Sequence, residues 1–395
     1  MLPNRRYMQL GSLYGNVEIR AKGKRFICLR RICSDFLHAF TLRQGRYRTT
    51  GAGVEPAGDV VELQRVCGLD REHAEEAGDC QHQPECACCK STPHHVLSPM
   101  RLRILLKVNL LAANLSFMNL IVSTQWVADR LGDRKLVLVD ATMPPVGVTP
   151  PVDTRGRYVA EHLPGAVFFS IDDLSDHSSG LPHTLPSAES FGASMEALSI
   201  GKDDTIVVYE QVGVFSAPRA VWMLRSFGAK DVHLLDGGLS AWKAAGLPTE
   251  SGEVTRERAS FTAELKPGAM TTFAELQGKI ARGEQILDAR AKGRFDGTAP
   301  EPRAGLSSGH MPGAVNAPFM ELAVDGKMKS PEELREYFAA KEVDLSQPCT
   351  TSCGSGVTAA VVSLALELAG AEKLSLYDGS WAEYASRPDT VIVKD

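Results

Sequence analysis

The 395-residue sequence is short of several things, and each shortage removes a class of protein. It has no run of about 18 uncharged apolar residues, so no transmembrane helix and no membrane partner are expected. It has no excess of positive charge: 43 Lys+Arg stand against 48 Asp+Glu, a net charge of −5, which argues against nucleic acid as a partner. Cysteine is scarce over most of the chain. Seven of the nine cysteines (Cys28, Cys33, Cys67, Cys80, Cys86, Cys88 and Cys89) fall within residues 1–117, leaving only Cys349 and Cys353 for residues 118–395. Two cysteines in so long a body make no disulfide scaffold and fit a reducing, cytoplasmic compartment. With 44% hydrophobic and 23% charged residues, the chain is neither disordered nor fibrous as a whole.

Charge divides at the same place as cysteine. Residues 1–117 hold 17 Lys+Arg and 11 Asp+Glu, a net of +6, and residues 118–395 carry the remaining −11. The first 117 residues show no sustained periodicity, and no fold is expected there. The cluster Cys80 to Cys89, with His94 and His95 close by, matches no closed tetrahedral zinc spacing, so no metal site is expected. Residues 1–50 carry 11 basic and two acidic residues, as a mitochondrial transit peptide does. Residues 100–117 look like a weak signal peptide whose apolar stretch is broken by Lys107, Asn109 and Asn114. A start at Met118, with everything before it an over-extended reading frame, would explain both features.

From Met118 onward, short apolar runs alternate with helical patterns. Lys135-Leu-Val-Leu-Val-Asp140, Ile206-Val-Val-Tyr209 and Val232-His-Leu-Leu-Asp236 read as buried strands, and Ala217 to Phe227 as a helix ended by Gly228. This alternation predicts an α/β fold with a largely parallel sheet. The landmarks then recur. Val139-Asp140-Ala141 answers Leu287-Asp288-Ala289, and His162-Leu-Pro-Gly-Ala-Val167 answers His310-Met-Pro-Gly-Ala-Val315. Asp236-Gly-Gly-Leu-Ser-Ala-Trp242 answers Asp378-Gly-Ser-Trp-Ala-Glu-Tyr384. Two duplicated domains are therefore expected, residues 118–250 and 269–395, joined by a linker over 251–268. His162 and His310, being duplicated, read as a shared structural turn.

Comparing the halves singles out one residue. Cys353, after the predicted strand Cys349 to Ser352, fills the slot that Glu210 fills after Ile206–Tyr209. It opens Cys353-Gly-Ser-Gly-Val-Thr358, a strand-to-helix turn with glycine at 354 and 356, followed by a predicted helix from Val357 to about Leu368. Such a loop aims backbone N–H groups inward at a helix N-terminus, where negative charge is favoured. A thiolate or persulfide anion suits that place. One half thus carries a nucleophile and the other does not. Cys349 lies in the strand itself and reads either as core packing or as a redox partner of Cys353.

These motifs resemble the tandem-rhodanese sulfurtransferases. The resemblance rests on Cys353-Gly-Ser-Gly-Val-Thr358, on Gly293-Arg294-Phe295 with Glu301-Pro302-Arg303, and on Asp378-Gly-Ser-Trp381. It covers residues 118–395 and none of 1–117. It implies two rhodanese-like domains, the first inactive and the second catalytic, each a mostly parallel sheet flanked by helices. In that family this loop sequence marks users of 3-mercaptopyruvate, whereas users of thiosulfate carry basic residues where Gly354 and Ser355 stand. The resemblance puts Arg294 and Arg303 on the substrate's carboxylate and keto oxygen, and Gly354, Gly356, Val357 and Thr358 around the transferred sulfur. It makes Ser355, His183 and Asp172 a proton relay. Arg290 reads as structural, and Asp378-Gly-Ser-Trp381 either as a pocket wall or as a structural turn. The expected cycle passes sulfur through a Cys353 persulfide to a thiol, cyanide or thioredoxin. No cofactor is implied, and a monomer is expected.

Three rivals remain. A thiosulfate:cyanide sulfurtransferase shares the fold, and a non-catalytic persulfide carrier shares the loop. A cysteine phosphatase needs arginine six residues after the nucleophile, where this chain has Ala359.

Overall fold

A computed structural model describes residues 120–395, except Val146, Gly147 and Thr149. The expectations for residues 1–50, the Cys80 to Cys89 cluster, residues 100–117 and a start at Met118 lie outside the described residues.

The first half runs β1 (Ile121–Val122), α1 (Thr124–Ala128), β2 (Leu136–Asp140), α2 (Thr154–Ala160), β3 (Val167–Phe168), α3 (Ala188–Ala197), β4 (Thr205–Tyr209), α4 (Ala217–Ser226), β5 (Asp231–Leu235) and α5 (Gly238–Ala244). The second runs β6 (Met270–Thr271), α6 (Phe273–Ala281), β7 (Gln285–Asp288), α7 (Lys292–Phe295), β8 (Val315–Asn316), a 3-10 turn (Phe319–Glu321) and the hairpin β9 (Ala323–Val324) and β10 (Lys327–Met328). It continues with α8 (Pro331–Ala340), β11 (Cys349–Ser352), α9 (Ala359–Ala369), β12 (Leu374–Tyr377) and α10 (Ser380–Tyr384).

The duplication read from three sequence matches extends to topology. The two five-stranded sheets are ordered β1-β5-β4-β2-β3 and β6-β12-β11-β7-β8, the same order strand for strand. Every pairing in both sheets is parallel. Strands β2 and β11 are buried along their whole length, as central strands covered on both faces are. Strands β4 and β11 hold equivalent central positions. The loops at their C-terminal ends begin with Glu210 and Cys353, at the edge where parallel α/β sheets place ligands.

Helices α4 and α9 follow those loops. Helix α9, Ala-Ala-Val-Val-Ser-Leu-Ala-Leu-Glu-Leu-Ala, is buried on nearly all sides, and Gly370 ends it at φ 107°. A helix apolar all round must be covered all round, and α4 supplies part of the cover: Val221 and Leu224 share one core cluster with Val361 and Leu364. Arg225 and Glu367 form a two-pronged ion pair between these helices at 2.7 Å and 2.7 Å. The halves therefore meet through apolar packing directly behind the two loops.

Helix α9 starts at Ala359, two residues later than the Val357 expected from sequence. Gly356 holds φ 83°, which no α-helix accommodates, and the chain needs Val357 and Thr358 to return to helical geometry. The segment 251–268 is strapped to the first half. Phe261 is buried against Phe191, with ring centroids 5.7 Å apart. Glu264 N–H donates to the Phe227 carbonyl and Lys266 N–H to that of Ser226.

Candidate active site

The site grows from the end of β11. The Cys353 carbonyl accepts from Trp381 N–H at 2.8 Å and the Gly354 carbonyl from Ala382 N–H at 3.0 Å, both in the first turn of α10. Cys353 N–H donates to Ser380 Oγ at 3.2 Å. The next amides turn back on the cysteine: Gly356 N–H points at Cys353 Sγ at 3.1 Å and Ser355 N–H at 3.4 Å. Cys353 is 2% exposed, so its sulfur sits in a small cradle of N–H groups just before a helix N-terminus. A side chain at Gly356 would meet Arg219 Nη1 and the Asp378 carbonyl at 3.1 Å, and the backbone there is left-handed, so glycine is required on both counts. Gly354 has a different reason: a Cβ there would stand 3.0 Å from Arg294 Nη2 and 3.8 Å from Arg303 Nη1.

Both arginines therefore converge on the rim of the loop. Arg294 is held by Glu301, whose Oε2 accepts from its Nη2 at 2.5 Å and its Nε at 3.2 Å. Glu301 Oε1 also accepts from Arg290, which in turn grips Asp288 and lies 3.9 Å over the Trp381 ring. Arg290 is buried and structural: it anchors Glu301, and Glu301 aims Arg294. Arg303 is half-buried and makes no hydrogen bond or ion pair to any described residue. Burial depresses its pKa, against the pull of the nearby Cys353 sulfur. A partly desolvated guanidinium with its hydrogen-bond donors unmet is suited to binding an anion.

From the first half comes the loop carrying His183. Its Nδ1 lies 2.9 Å from Ser355 Oγ and its Nε2 2.8 Å from Asp172 Oδ1. The carboxylate can only accept, so Nε2 is its donor, and Nδ1 is the ring nitrogen left facing Ser355. The hydrogen bond from His183 holds the Asp172 carboxyl below the ordinary carboxylate range. Cys353, Ser355, His183, Asp172, Arg294, Arg303, Gly354 and Gly356 are thus brought together. Val357 is not among them through its side chain, which is buried in the core and leaves only its backbone toward the loop. Thr358 caps α9 without a side-chain hydrogen bond.

In the first half, Glu210 occupies the matching cradle. Its carboxyl accepts from the amides of Phe215, Ser216 and Ala217, and its carbonyl accepts from Leu239 N–H, as the Cys353 carbonyl does from Trp381. A carboxyl fixed where the sulfur would sit leaves that half without a nucleophile. His162 and His310 each stack on an aromatic ring, Tyr158 and Phe295, and bridge to a distant backbone segment. Among the described residues no group of three His, Cys, Asp or Glu is placed to hold a metal ion.

Cys349 does not face this site. Burial raises its thiol to about 11. Four residue steps of extended chain lead from it to Cys353, roughly 13 Å at the strand rise, about twice what a disulfide spans.

The Rhodanese-like domain family matches residues 123–245 and 272–387. The chain belongs to the tandem-rhodanese sulfurtransferase family. It is 43% identical over 284 residues to human 3-mercaptopyruvate sulfurtransferase, covering 69% of this chain and 94% of that one. It is 41% identical over 283 residues to rat thiosulfate sulfurtransferase, with 69% and 94% covered. The crystal structure of SseA from Escherichia coli matches with a TM-score of 0.62 at 39% identity, covering 66% of this chain and 98% of that one. In this rhodanese pair the half without the Cys353 loop brings His183 and Asp172 to that loop.

Residues outside the sequence-derived set also belong to this architecture: Arg219, Ser380 and Glu301 as an anchor. Arg219 had a visible signal, a charge in the first turn of a helix followed by the apolar run Ala220 to Leu224. Ser380 had none beyond its motif.

Proposed function

We propose that the chain is a sulfurtransferase that takes sulfur from 3-mercaptopyruvate and passes it, through a Cys353 persulfide, to a thiophilic acceptor. The observation that carries this reading is the continuous contact from the nucleophile loop to a base: Ser355 Oγ stands 2.9 Å from His183 Nδ1. A donor with a thiol proton needs such a relay, and thiosulfate has no proton to lose. The uncharged Gly354 and Ser355 fit the same donor.

The substrate carboxylate lies against Arg303 and Arg294. Its thiol proton passes to Ser355 Oγ as the Ser355 proton passes to His183 Nδ1, and Asp172 stabilises the imidazolium. The Cys353 thiolate attacks the substrate sulfur. The new S–S bond forms as the C–S bond breaks, and the bonding pair leaves with carbon as pyruvate enolate. Protonation at carbon, with the His183 proton as source, gives pyruvate and resets the base. The persulfide anion rests in the N–H cradle until an acceptor such as a small thiol, cyanide or thioredoxin removes the outer sulfur. One chain supplies every group named, so a monomer suffices. Among the described residues no helix is long and apolar enough to cross a membrane, and the two described cysteines are free thiols. A cytoplasmic enzyme fits both facts.

Donor-dependent pyruvate release tests the reading. Wild type should release pyruvate and gain about 32 Da, one sulfur atom, on Cys353. Cys353→Ser should do neither. A kcat/KM higher for thiosulfate than for 3-mercaptopyruvate would instead make the chain a thiosulfate sulfurtransferase.

A further inference from the structure

His183 lies in an irregular loop, and it is one of five non-glycine residues in the described structure with positive φ, at 60°. A non-glycine residue in that region is strained and persists only when its surroundings fix it. What fixes it is an ion pair crossing between the two rhodanese halves. Arg219, on α4 of the first half, is 0% exposed. Its Nη2 donates to the His183 carbonyl at 2.6 Å and to Asp378 Oδ1, on the second half, at 2.7 Å. Its Nη1 reaches the Gly356 carbonyl at 3.4 Å, and its guanidinium lies 4.5 Å over the Trp222 ring. The other oxygen of Asp378 accepts from Leu185 N–H at 2.7 Å. One buried pair therefore ties the chain at His183 and two residues beyond it to the loop that carries Ser355 and Cys353.

We propose that Arg219 and Asp378 are positioning residues for sulfur transfer, holding His183 in its left-handed conformation so that Nδ1 stays on Ser355 Oγ. The pair touches neither substrate nor sulfur. It acts through His183 and rests on the relay reading given above. The chemistry favours this division of labour. The relay joins residues 172 positions apart, and a histidine shifted by about 1 Å loses the proton transfer. Arginine suits the task because its fork reaches three acceptors at once. Asp378 is the complement: one oxygen accepts from Arg219 and the other from Leu185 N–H, in the loop that carries His183.

The test uses the full chain carrying Asp378→Asn, Arg219→Lys, His183→Gln, and each of the first two combined with His183→Gln. Three readouts are taken: kcat and KM for pyruvate release from 3-mercaptopyruvate, and the rate of Cys353 alkylation by iodoacetamide, which needs no relay. Asp378→Asn is close in shape to the native residue and carries the test by itself if Arg219→Lys does not fold. The expected result is a roughly tenfold fall in kcat, with KM and alkylation within about twofold of wild type. Each double variant should be no slower than His183→Gln alone, because the pair acts only through that histidine. Equal falls in kcat and alkylation, a rise confined to KM, or additive losses in the doubles would overturn the proposal. If His183→Gln itself leaves kcat unchanged, the relay reading fails, and the positioning proposal fails with it.

Discussion

Arg303→Gln separates binding from stability more cleanly than any other change in this site. Arg303 is half-buried, has no hydrogen-bonding partner among the described residues, and stands with Arg294 at the rim of the Cys353 loop. In the free enzyme its desolvation is offset only by charges at a distance, those of Cys353, Glu301 and Asp172, and by no hydrogen bond. With a carboxylate bound, two charge-assisted hydrogen bonds form, each contributing about 1.5 kcal/mol at the low end suited to a half-exposed site. Losing both costs about 3 kcal/mol, or roughly 150-fold in kcat/KM. The contact is the same in ground and transition states, so most of the loss should appear as a higher KM. Stability should move the other way: removing an unpaired, partly buried charge should leave Tm unchanged or raise it by about 2 °C. Steady-state pyruvate release and thermal unfolding measure the two effects. A kcat/KM within about threefold of wild type, or a Tm several degrees lower, would refute the reasoning, the second by showing that Arg303 has a structural partner.

Three further predictions follow from neighbouring groups. Asp172→Asn removes the charge facing His183 Nε2; because the Asp172 side chain is 51% exposed, the effect is screened, and kcat should fall about tenfold with KM unchanged, as steady-state kinetics will read. Burial raises the Glu210 carboxyl from 4.5 to about 7. The folded protein then holds a proton that the unfolded chain releases, so this group's stabilisation is complete below about pH 4.5 and lost as pH rises through 7. Thermal unfolding of Glu210→Gln should therefore lose less Tm than wild type between pH 5 and pH 8, by the equivalent of at most about 3 kcal/mol, and parallel curves would contradict it. Cys349→Ser should keep full activity and leave the thiol-reversibility of peroxide inactivation unchanged; loss of that reversibility would make Cys349 a redox partner after all.

Much of this protein was legible in one dimension. Strand runs such as Leu136 to Asp140 are continuous apolar stretches because parallel strands are buried on both faces, and that pattern is local. The repeat could be read by comparing the sequence with itself, and it located Cys353 by contrast with Glu210. The arginines were harder. Arg290, Arg294 and Arg303 look alike in sequence, and only burial and partnering separate an anchored guanidinium from one without a hydrogen-bonded partner. The role of Asp378 stayed open for the same reason, since its partners Arg219 and Leu185 lie 159 and 193 residues away.

By itself, the sequence determined the α/β class, the duplication, and a cysteine present in one half only, set in a glycine loop. Those properties depend on side-chain periodicity and on backbone freedom within a few residues. The tertiary structure alone decided which groups meet the nucleophile. His183 reaches Ser355 because α4 and α9 pack behind the two loops, and because a buried Arg219–Asp378 pair fixes the histidine's backbone across the boundary between the halves. Such contacts join residues far apart in the chain, and they exist only once both sheets are folded and packed together.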